Sequence, residues 1–288
     1  MKNINSKNKY IPSEVVIRDG QSGQFLCFNH ALEYFSATRI DEVPSVLSQV
    51  EAAVEKKGLY AAGFISYEAS AAFDESLKTF ENDGFPLLWF GLYPKPEIVD
   101  ISDIPVNQDT PLDWKTSVEK QEYTDCLNRI KEYIGQGDTY QVNYSYRLRA
   151  GFTGDTWELF QNVCHPLYPH YAAYINIKDW CICSASPELF FRLDNDLLES
   201  RPMKGTVDRG LWYSQDIEQS EWLRQSSKNQ AENVMIVDMV RNDIGRVADT
   251  GSVTVSELFK IEKYPTLWQM TSTVQGKTSQ SLTDILTA

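Results

Sequence analysis

The sequence predicts an α+β fold, and two kinds of hydrophobic pattern lead to this prediction. Short apolar runs bounded by turn residues predict strands, while apolar residues three and four positions apart predict helices. Both patterns recur along a chain of 288 residues, of which 42% are hydrophobic. This length and composition suffice for one large or two modest domains with a real core.

The first part of the chain, residues 10–105, is predicted to be an α+β segment. The runs at residues 61–67 and 86–93 have the length and composition of buried strands, and residues 41–57 have helical spacing. Proline and aspartate become frequent from Pro94 onward, which is typical of a connector. We therefore expect an N-terminal segment, a connector and a second region at residues 1–105, 106–113 and 114–288.

A strand with two unlike faces is predicted at residues 139–149, after a helix at about 117–134 that Gly135 and Gly137 end. Tyrosine, valine and leucine alternate with glutamine, asparagine, serine and arginine along this strand. A period of two places the first set on a packed face and the second on a polar face. The polar face either meets solvent or lines a cavity.

A meander, a long helix and two further strands are predicted in the rest of the chain. Asp179 and Asn195 lie in the turns of the meander. Gly245 is expected to end the helix. The meander strands are predicted at residues 171–177, 180–185, 189–193 and 197–203, the helix at 216–244, and the last strands at 252–258 and 266–274.

The charge of the chain disfavours two classes of partner. With 27 Lys and Arg against 40 Asp and Glu, the formal net charge is −13. Such a surface repels nucleic-acid phosphates and anionic lipid, although a local basic pocket for a small anion remains compatible with it. The sequence has no apolar run of 18 residues and no apolar stretch near its start. We therefore expect a cytoplasmic protein that binds neither nucleic acid nor membrane.

The five cysteines lack the spacing of a disulfide framework or a metal site. Cys181 and Cys183 are two positions apart in a predicted strand, so they face the same way. They are either a metal or redox pair or, more commonly, buried inert thiols. The three histidines also lack metal-ligand spacing and are interpreted as structural residues.

Two single residues are candidates for acid and nucleophile chemistry. Glu188 lies between apolar segments and beside Phe190 and Phe191. A carboxylic acid among aromatic side chains is harder to ionise, which suits a general acid. Lys204 could act as a nucleophile if burial or a neighbouring cation keeps its amine neutral. The alternatives are a strand-start carboxylate in solvent for Glu188 and a turn lysine in water for Lys204.

Glu232 and the acidic and basic residues that follow it form a further candidate cluster. Glu232 could bind Mg²⁺, which takes few carboxylates and several waters. The alternative is a helix-surface pair with Lys228, four residues earlier, worth about 0.3 kcal/mol. For Asp238 and residues 241–243, we favour a network at the helix end that holds the following turn.

Taken together and in this order, the motifs resemble one family, the chorismate-utilising enzymes. The blocks that carry the resemblance are GDTYQVN, SPELF, RPMKGT and AENVMIVDMVRNDIGRV, with AGFISYE and WFG in the first segment. The resemblance implies an α+β sheet sandwich flanked by helices. The family pattern continues with further blocks beyond the one reached at residue 288. The resemblance therefore also implies that this sequence is the N-terminal portion of a longer enzyme, with an incomplete C-terminus. We expect this portion alone to lack turnover.

Two positions indicate a branch of the family. Members that add water to chorismate carry a lysine where this sequence has Gln141, and an amide is a poor base. RPMKGT is similar to the PIKGT of aminodeoxychorismate synthase component I, the p-aminobenzoate and folate branch, whereas the anthranilate branch has alanine at the position of Lys204. Asn229 and Gln230 depart from the acid and base usual there. The alternatives are an anthranilate synthase component I, another chorismate enzyme, or a non-catalytic binding chain.

The resemblance also implies a reaction and its participants. Lys204 would attack the ring of chorismate while Glu188 protonates the departing hydroxyl, and ammonia would then replace the lysine to give 4-amino-4-deoxychorismate. Gln141, Gly205 and Thr206 would contact the substrate. Mg²⁺, held partly by Glu232, would bind its carboxylate. A separate glutamine amidotransferase subunit would supply the ammonia.

Overall fold

A computed structural model describes residues 14–80, 84–99, 112–164 and 169–288. Most of the predicted connector, residues 106–111, therefore lies outside the described residues. Helices within the described part are α1 (Val43–Lys57), α2 (Lys120–Gln136), α3 (Thr156–Cys164), α4 (Tyr213–Gln225), α5 (Ser227–Val247) and α6 (Leu282–Thr287).

The strands form sheets that are antiparallel throughout. In chain order they are β1 (Val15–Arg18), β2 (Phe25–Phe28), β3 (Glu33–Ala37), β4 (Tyr60–Ile65), β5 (Leu88–Tyr93), β6 (Glu97–Val99), β7 (Lys115–Thr116), β8 (Leu148–Arg149), β9 (Tyr171–Ile177), β10 (Trp180–Ser186), β11 (Leu189–Asp194), β12 (Leu197–Arg201), β13 (Met203–Asp208), β14 (Thr254–Lys263) and β15 (Leu267–Lys277).

The first sheet joins strands from both predicted regions, in the order β10-β9-β1-β2-β6. Its central strand is buried on both faces, because successive side chains of a strand point to opposite sides. Val16 packs with Trp157 and Phe160 of α3, whereas Val15 packs with Tyr93 of β5. The five-stranded sheet therefore lies between α3 and the sheet that contains β5.

The second sheet has the order β3-β5-β4 and is covered by α1. Leu47 of α1 and Leu88 of β5 are both fully buried in this contact. Gly58 ends α1 in the left-handed conformation, with φ of 63°. The helix and both strands predicted for the first segment are confirmed, and they form a layered sandwich with the first sheet.

The third sheet is built around β15, which pairs with β12 and β13 along one edge and with β14 along the other. The pairing of β13 shifts register between Met203 and Thr206, and β14 shifts between Glu257 and Lys260. Such bulges leave backbone groups without their ladder partners and re-aim side chains. Helix α5 covers this sheet and packs Val237 against Val274.

The strand predicted at residues 139–149 is wrong over most of its length. Only Leu148 and Arg149 form a ladder, and their partner is the short strand β7. The expected packed face is exposed, with Tyr140 84% accessible. A strand needs a neighbour for its backbone groups, and no described strand lies beside residues 139–147.

The single helix predicted at residues 216–244 is two helices in the structure. The chain is extended at Ser226, whose hydroxyl accepts a hydrogen bond from the Asn229 backbone and so begins α5. Gly245 does not end α5, which continues to Val247 because Val247 and Ala248 pack into the apolar cluster below it. The predicted meander and the last two strands are confirmed. Among the described residues, no helix is both long and apolar enough to cross a membrane.

Candidate active site

Glu188 lies in the turn between β10 and β11, and its carboxylate reaches the start of β13, the strand that carries Lys204. The Glu188 Oε1 atom accepts a hydrogen bond of 3.1 Å from the backbone N–H of Met203, the residue before Lys204. The Ser186 hydroxyl accepts a 3.2 Å bond from the Glu188 backbone and shapes the turn that precedes β11. The carboxylate is therefore held close to the start of β13.

The environment of Glu188 differs from the apolar one that its neighbours predict. Glu188 is exposed, and Phe190 is 75% accessible. The two phenylalanines that follow Glu188 in sequence therefore do not give it the apolar surroundings that the sequence predicts. What the structure provides for Glu188 is a backbone donor and contact with solvent.

Lys204 is half-buried, and its amine is held by a residue from another motif. The Lys204 Nζ atom donates a 3.3 Å hydrogen bond to Asn143 Oδ1. Asn143 belongs to the GDTYQVN block, 61 residues away along the chain. The fold thus brings the RPMKGT and GDTYQVN blocks into direct contact, while the hydrogen bond of Glu188 adds SPELF.

Two nearby concave regions flank this cluster without including it. A cavity of about 140 Å³ lies under Met203, and its lining includes Pro187 and Tyr264. A groove of about 660 Å³ runs between Tyr140 and α5. The acid and the lysine line neither of these two cavities.

Gly205 and Thr206 shape the strand next to the lysine. Gly205 has φ of +98°, and a Cβ atom there would lie 3.1 Å from Asn229 Cβ and 3.2 Å from Met270 Cβ. Only glycine adopts this conformation readily. The Thr206 hydroxyl donates a 2.7 Å hydrogen bond to Gln269 Oε1, so it is already engaged within the sheet.

Gln141 turns its amide into the protein. Its Oε1 atom is buried, and no donor among the described residues reaches it. The backbone carbonyl of Gln141 accepts a 3.2 Å bond from the Thr139 hydroxyl, which forms a local turn. An unsatisfied buried acceptor costs about 1–3 kcal/mol, so this amide oxygen is a ready acceptor for an added donor.

Glu232 forms the helix-surface pair that its spacing predicts. Its carboxylate lies 3.8 Å from Lys228 Nζ, and the two side chains are 39% and 83% exposed. The described residues contain no group of three or more metal-ligating side chains. The oxygen chemistry of Glu232 suits Mg²⁺, yet one carboxylate paired with a lysine is not a complete site.

The remaining candidate groups have local partners. Arg241 pairs with Asp238 at 3.2 Å on the surface of α5. The Cys181 and Cys183 sulfurs lie 4.0 Å apart on one face of β10, as predicted. A hydrogen bond from Cys183 lowers the pKa of Cys181 to about 6, while burial raises the pKa of Cys164 to about 12.

Comparison with known proteins decides the family. The sequence matches the family described as chorismate binding enzyme over residues 13–288. The chain belongs to this family. Aminodeoxychorismate synthase component 1 of Salmonella typhimurium is 39% identical over 177 residues, which cover 61% of this chain and 39% of that protein. Anthranilate synthase component 1 of Aquifex aeolicus is 38% identical over 165 residues, covering 57% and 33%.

Solved structures of chorismate enzymes share the fold. The anthranilate synthase component I of Streptococcus pneumoniae superposes with a TM-score of 0.74 at 20% identity, covering 100% of this chain and 75% of that one. The menaquinone-specific isochorismate synthase of Escherichia coli gives 0.62 at 13% identity, covering 94% and 66%. The predicted α+β chorismate-binding fold and the family resemblance are confirmed. The match spans about two fifths of the Salmonella relative.

Two residues of the candidate site were not among the predicted site residues. Asn143 holds the lysine amine, and Asn233 donates a 3.3 Å hydrogen bond to the Lys204 carbonyl. Both lie inside the quoted motif blocks. A signal for Asn233 is present in the sequence, since it falls four residues before Val237 on the buried stripe of a helix, where a polar side chain needs a partner.

Proposed function

We propose that this chain carries the lysine and the acid of an aminodeoxychorismate synthase component I. The observation that carries the proposal is the 3.1 Å hydrogen bond from Met203 N–H to Glu188 Oε1. It holds a carboxyl group beside the residue that precedes Lys204. Relatives with the printed name aminodeoxychorismate synthase component 1 support it at 37–39% identity.

The reaction proposed for these residues is a double substitution on chorismate. The neutral amine of Lys204 forms a bond to C2 of the ring, and the ring double bond shifts toward C4. The C4–oxygen bond then breaks, and Glu188 gives its proton so that water leaves. Ammonia next adds at C4 and gives one proton back to the Glu188 carboxylate, while the ring double bonds shift back and the C2–nitrogen bond returns its electron pair to Lys204. The net change is the replacement of a hydroxyl by an amine.

Other groups would bind and orient the substrate. The buried acceptor of Gln141, the glycine backbone at residue 205 and Thr206 are proposed to contact chorismate. Glu232 is proposed as one carboxylate ligand of Mg²⁺, whose bound charge would offset that of the substrate carboxylates. The steps assigned to Lys204 and Glu188 do not depend on that ion. A glutamine amidotransferase is the proposed source of ammonia, and the cytoplasm is the proposed location.

Anthranilate synthase component I is the second candidate function. Relatives with that name match this chain at similar identity, 38% for the Aquifex aeolicus protein. Lys204 favours the first candidate, because the corresponding motif of the anthranilate branch has alanine at that position. The two products differ chemically, since anthranilate forms with release of pyruvate and 4-amino-4-deoxychorismate keeps its enolpyruvyl group.

The proposal is tested by trapping the lysine adduct. The chain is incubated with chorismate and Mg²⁺ without ammonia, and its intact mass is measured. We expect a mass increase equal to chorismate less one water, located on the Lys204 peptide. Because repeated turnover is not expected of this portion alone, ammonium salt should discharge the adduct as at most a single equivalent of 4-amino-4-deoxychorismate per chain, detected by liquid chromatography and mass spectrometry.

Two lysine variants make the result specific. Lys204→Ala should abolish the adduct, whereas Lys178→Ala, which removes an exposed lysine in the turn between β9 and β10, should retain it. Anthranilate fluorescence with pyruvate release would favour the second candidate. Binding of chorismate with neither adduct nor product would overturn the enzymatic proposal and support a binding chain.

A further inference from the structure

Asn233 lies where two bulges meet on either side of β15. In β13, Lys204 and Gly205 fall in the register shift between Met203 and Thr206, opposite Met270. Across β15, residues 258 and 259 fall in the shift between Glu257 and Lys260. Helix α5 passes over this point and inserts the amide of Asn233, which is only 1% exposed.

The amide of Asn233 bonds the backbone inside the bulge of β13. Lys204 lies in this bulge, where the regular pairing of β13 with β15 is interrupted. Asn233 Nδ2 donates to the Lys204 carbonyl at 3.3 Å. A buried carbonyl without a donor is costly, so this bond fixes the backbone from which the Lys204 side chain extends.

The orientation of Asn233 is itself fixed by a hydrogen-bond relay. Its Oδ1 atom accepts a 2.5 Å bond from the hydroxyl of Ser272, which is fully buried. The Ser272 oxygen in turn accepts a 3.2 Å bond from the Phe259 backbone. Phe259 has φ of 57°, a left-handed conformation that is strained for an aromatic residue. The relay thus connects a strained turn of β14 to the backbone of the lysine.

We propose that Asn233 is a positioning residue for the Lys204 amine, acting through the Lys204 carbonyl and held in place by Ser272. The inference rests on the proposed role of Lys204 for its functional meaning. The expected effect follows from the hydrogen bonds. Without the Asn233 amide, the backbone at residue 204 loses a fixed contact and becomes free to move. The Lys204 side chain then loses its hydrogen bond to Asn143 and extends into solvent.

The test measures the reactivity of one amine in the full chain. Trace acetylation with acetic anhydride, followed by peptide mass spectrometry, gives the labelling rate of Lys204 relative to Lys228 across a pH series. In Asn233→Ala we expect the relative rate of Lys204 to rise about two- to tenfold, the range that corresponds to loss of one hydrogen bond. The rate of the chorismate adduct should fall while chorismate affinity changes less.

Val237→Ala is the matched control, because Val237 is a buried residue one turn further along the same helix. It destabilises the packing of α5 but leaves the amide bonds, so the Lys204 labelling ratio should stay at the wild-type value. Equal changes in both variants, or an unchanged ratio in Asn233→Ala, would overturn the proposal.

Ser272 provides a second and independent variant should Asn233→Ala fail to fold. Ser272→Ala removes the bond that orients the amide and should raise the Lys204 ratio, whereas Ser272→Thr keeps a hydroxyl and should restore it. An unchanged ratio in Ser272→Ala would contradict the relay. If no chorismate adduct forms in any variant while the labelling ratio still responds, the proposed function fails and the positioning role stands.

Discussion

Two helices cover sheets in this molecule by different physical means. Helix α1 meets the β3-β5-β4 sheet through apolar side chains, with Val43, Leu47 and Leu88 fully buried. Helix α5 meets the β15 sheet through apolar contacts at its C-terminal half and through a buried amide, Asn233, near its N-terminal end. The first contact is non-directional, whereas the second fixes individual atoms.

This difference indicates what each region is suited to do. Apolar packing stabilises in proportion to the area removed from water and tolerates small shifts of the helix. A buried amide with two partners tolerates little movement, because each lost bond leaves an unsatisfied polar group. The α1 region therefore supplies stability, and the α5 region holds Lys204 in one place at a cost in buried polar groups.

The largest expected effect on stability comes from the apolar region. Leu47→Ala removes a fully buried side chain and should lower the free energy of unfolding by about 2–5 kcal/mol. Urea denaturation followed by tryptophan fluorescence measures the loss. Gln49→Ala, an exposed position on the same helix, should change the value by less than about 0.5 kcal/mol.

The same variant also tests the separation between the two regions. In folded Leu47→Ala the labelling ratio of Lys204 to Lys228 should equal the wild-type ratio. A changed ratio would mean that the apolar contact under α1 also sets the position of the lysine, and the comparison would then be wrong.

The sequence predicts the α1 region well, because apolar packing requires apolar residues at regular spacing along the chain. Valine and leucine at helical spacing mark the buried face of α1, and uninterrupted apolar runs mark β4 and β5. The strand predicted at residues 139–149 is wrong over most of its length, although its period of two is equally clear. Periodicity describes which side chains share a face, but it contains no information about whether a neighbouring strand exists.

The candidate site is only partly predictable for a related reason. Glu188 and Lys204 are identified by residue type and motif, and the structure brings them to neighbouring positions. The contact of Lys204 with Asn143 and the bond from Asn233 depend on bulges in β13 and β14. A bulge is a mismatch in length between paired strands, so it is set by the pairing and cannot be read from either strand alone.

A glycine substitution beside Lys204 tests the α5 region, and its expected effect on stability is smaller than that of Leu47→Ala. Gly205→Ala places a Cβ atom 3.1 Å from Asn229 Cβ at φ of +98°, so it should destabilise the chain by about 1–3 kcal/mol. Gly245→Ala is the matched control, because an added Cβ meets nothing within 4 Å there. In a helix it should instead stabilise by about 0.5–1 kcal/mol. If urea denaturation shows that both substitutions change the free energy of unfolding in the same direction, the conformational role of Gly205 is contradicted.

The smallest effect is expected at a polar contact beside the same sheet. Asp216 of α4 accepts hydrogen bonds from Arg209 at 2.5 and 2.6 Å and from Trp268 at 2.9 Å, and Arg209 holds the pKa of this carboxyl well below its usual range. Asp216→Asn keeps the shape and the oxygen that accepts from Trp268, but it removes the charge and replaces the second acceptor of Arg209 with an NH2 group.

The sign of the pH dependence follows from the lowered pKa of Asp216. A carboxyl whose pKa is lower in the folded state stabilises above its unfolded pKa of about 4, and this contribution is lost as pH falls through the folded value. The Tm of the wild type should therefore exceed that of Asp216→Asn at pH 7, and the difference should shrink progressively below about pH 4. Asp208→Asn, an exposed neighbour on β13, should change the Tm little at pH 7. A difference for Asp216→Asn that grows on acidification would show that the charge of Asp216 does not stabilise this end of the sheet, and the polar region would then depend on its neutral hydrogen bonds alone.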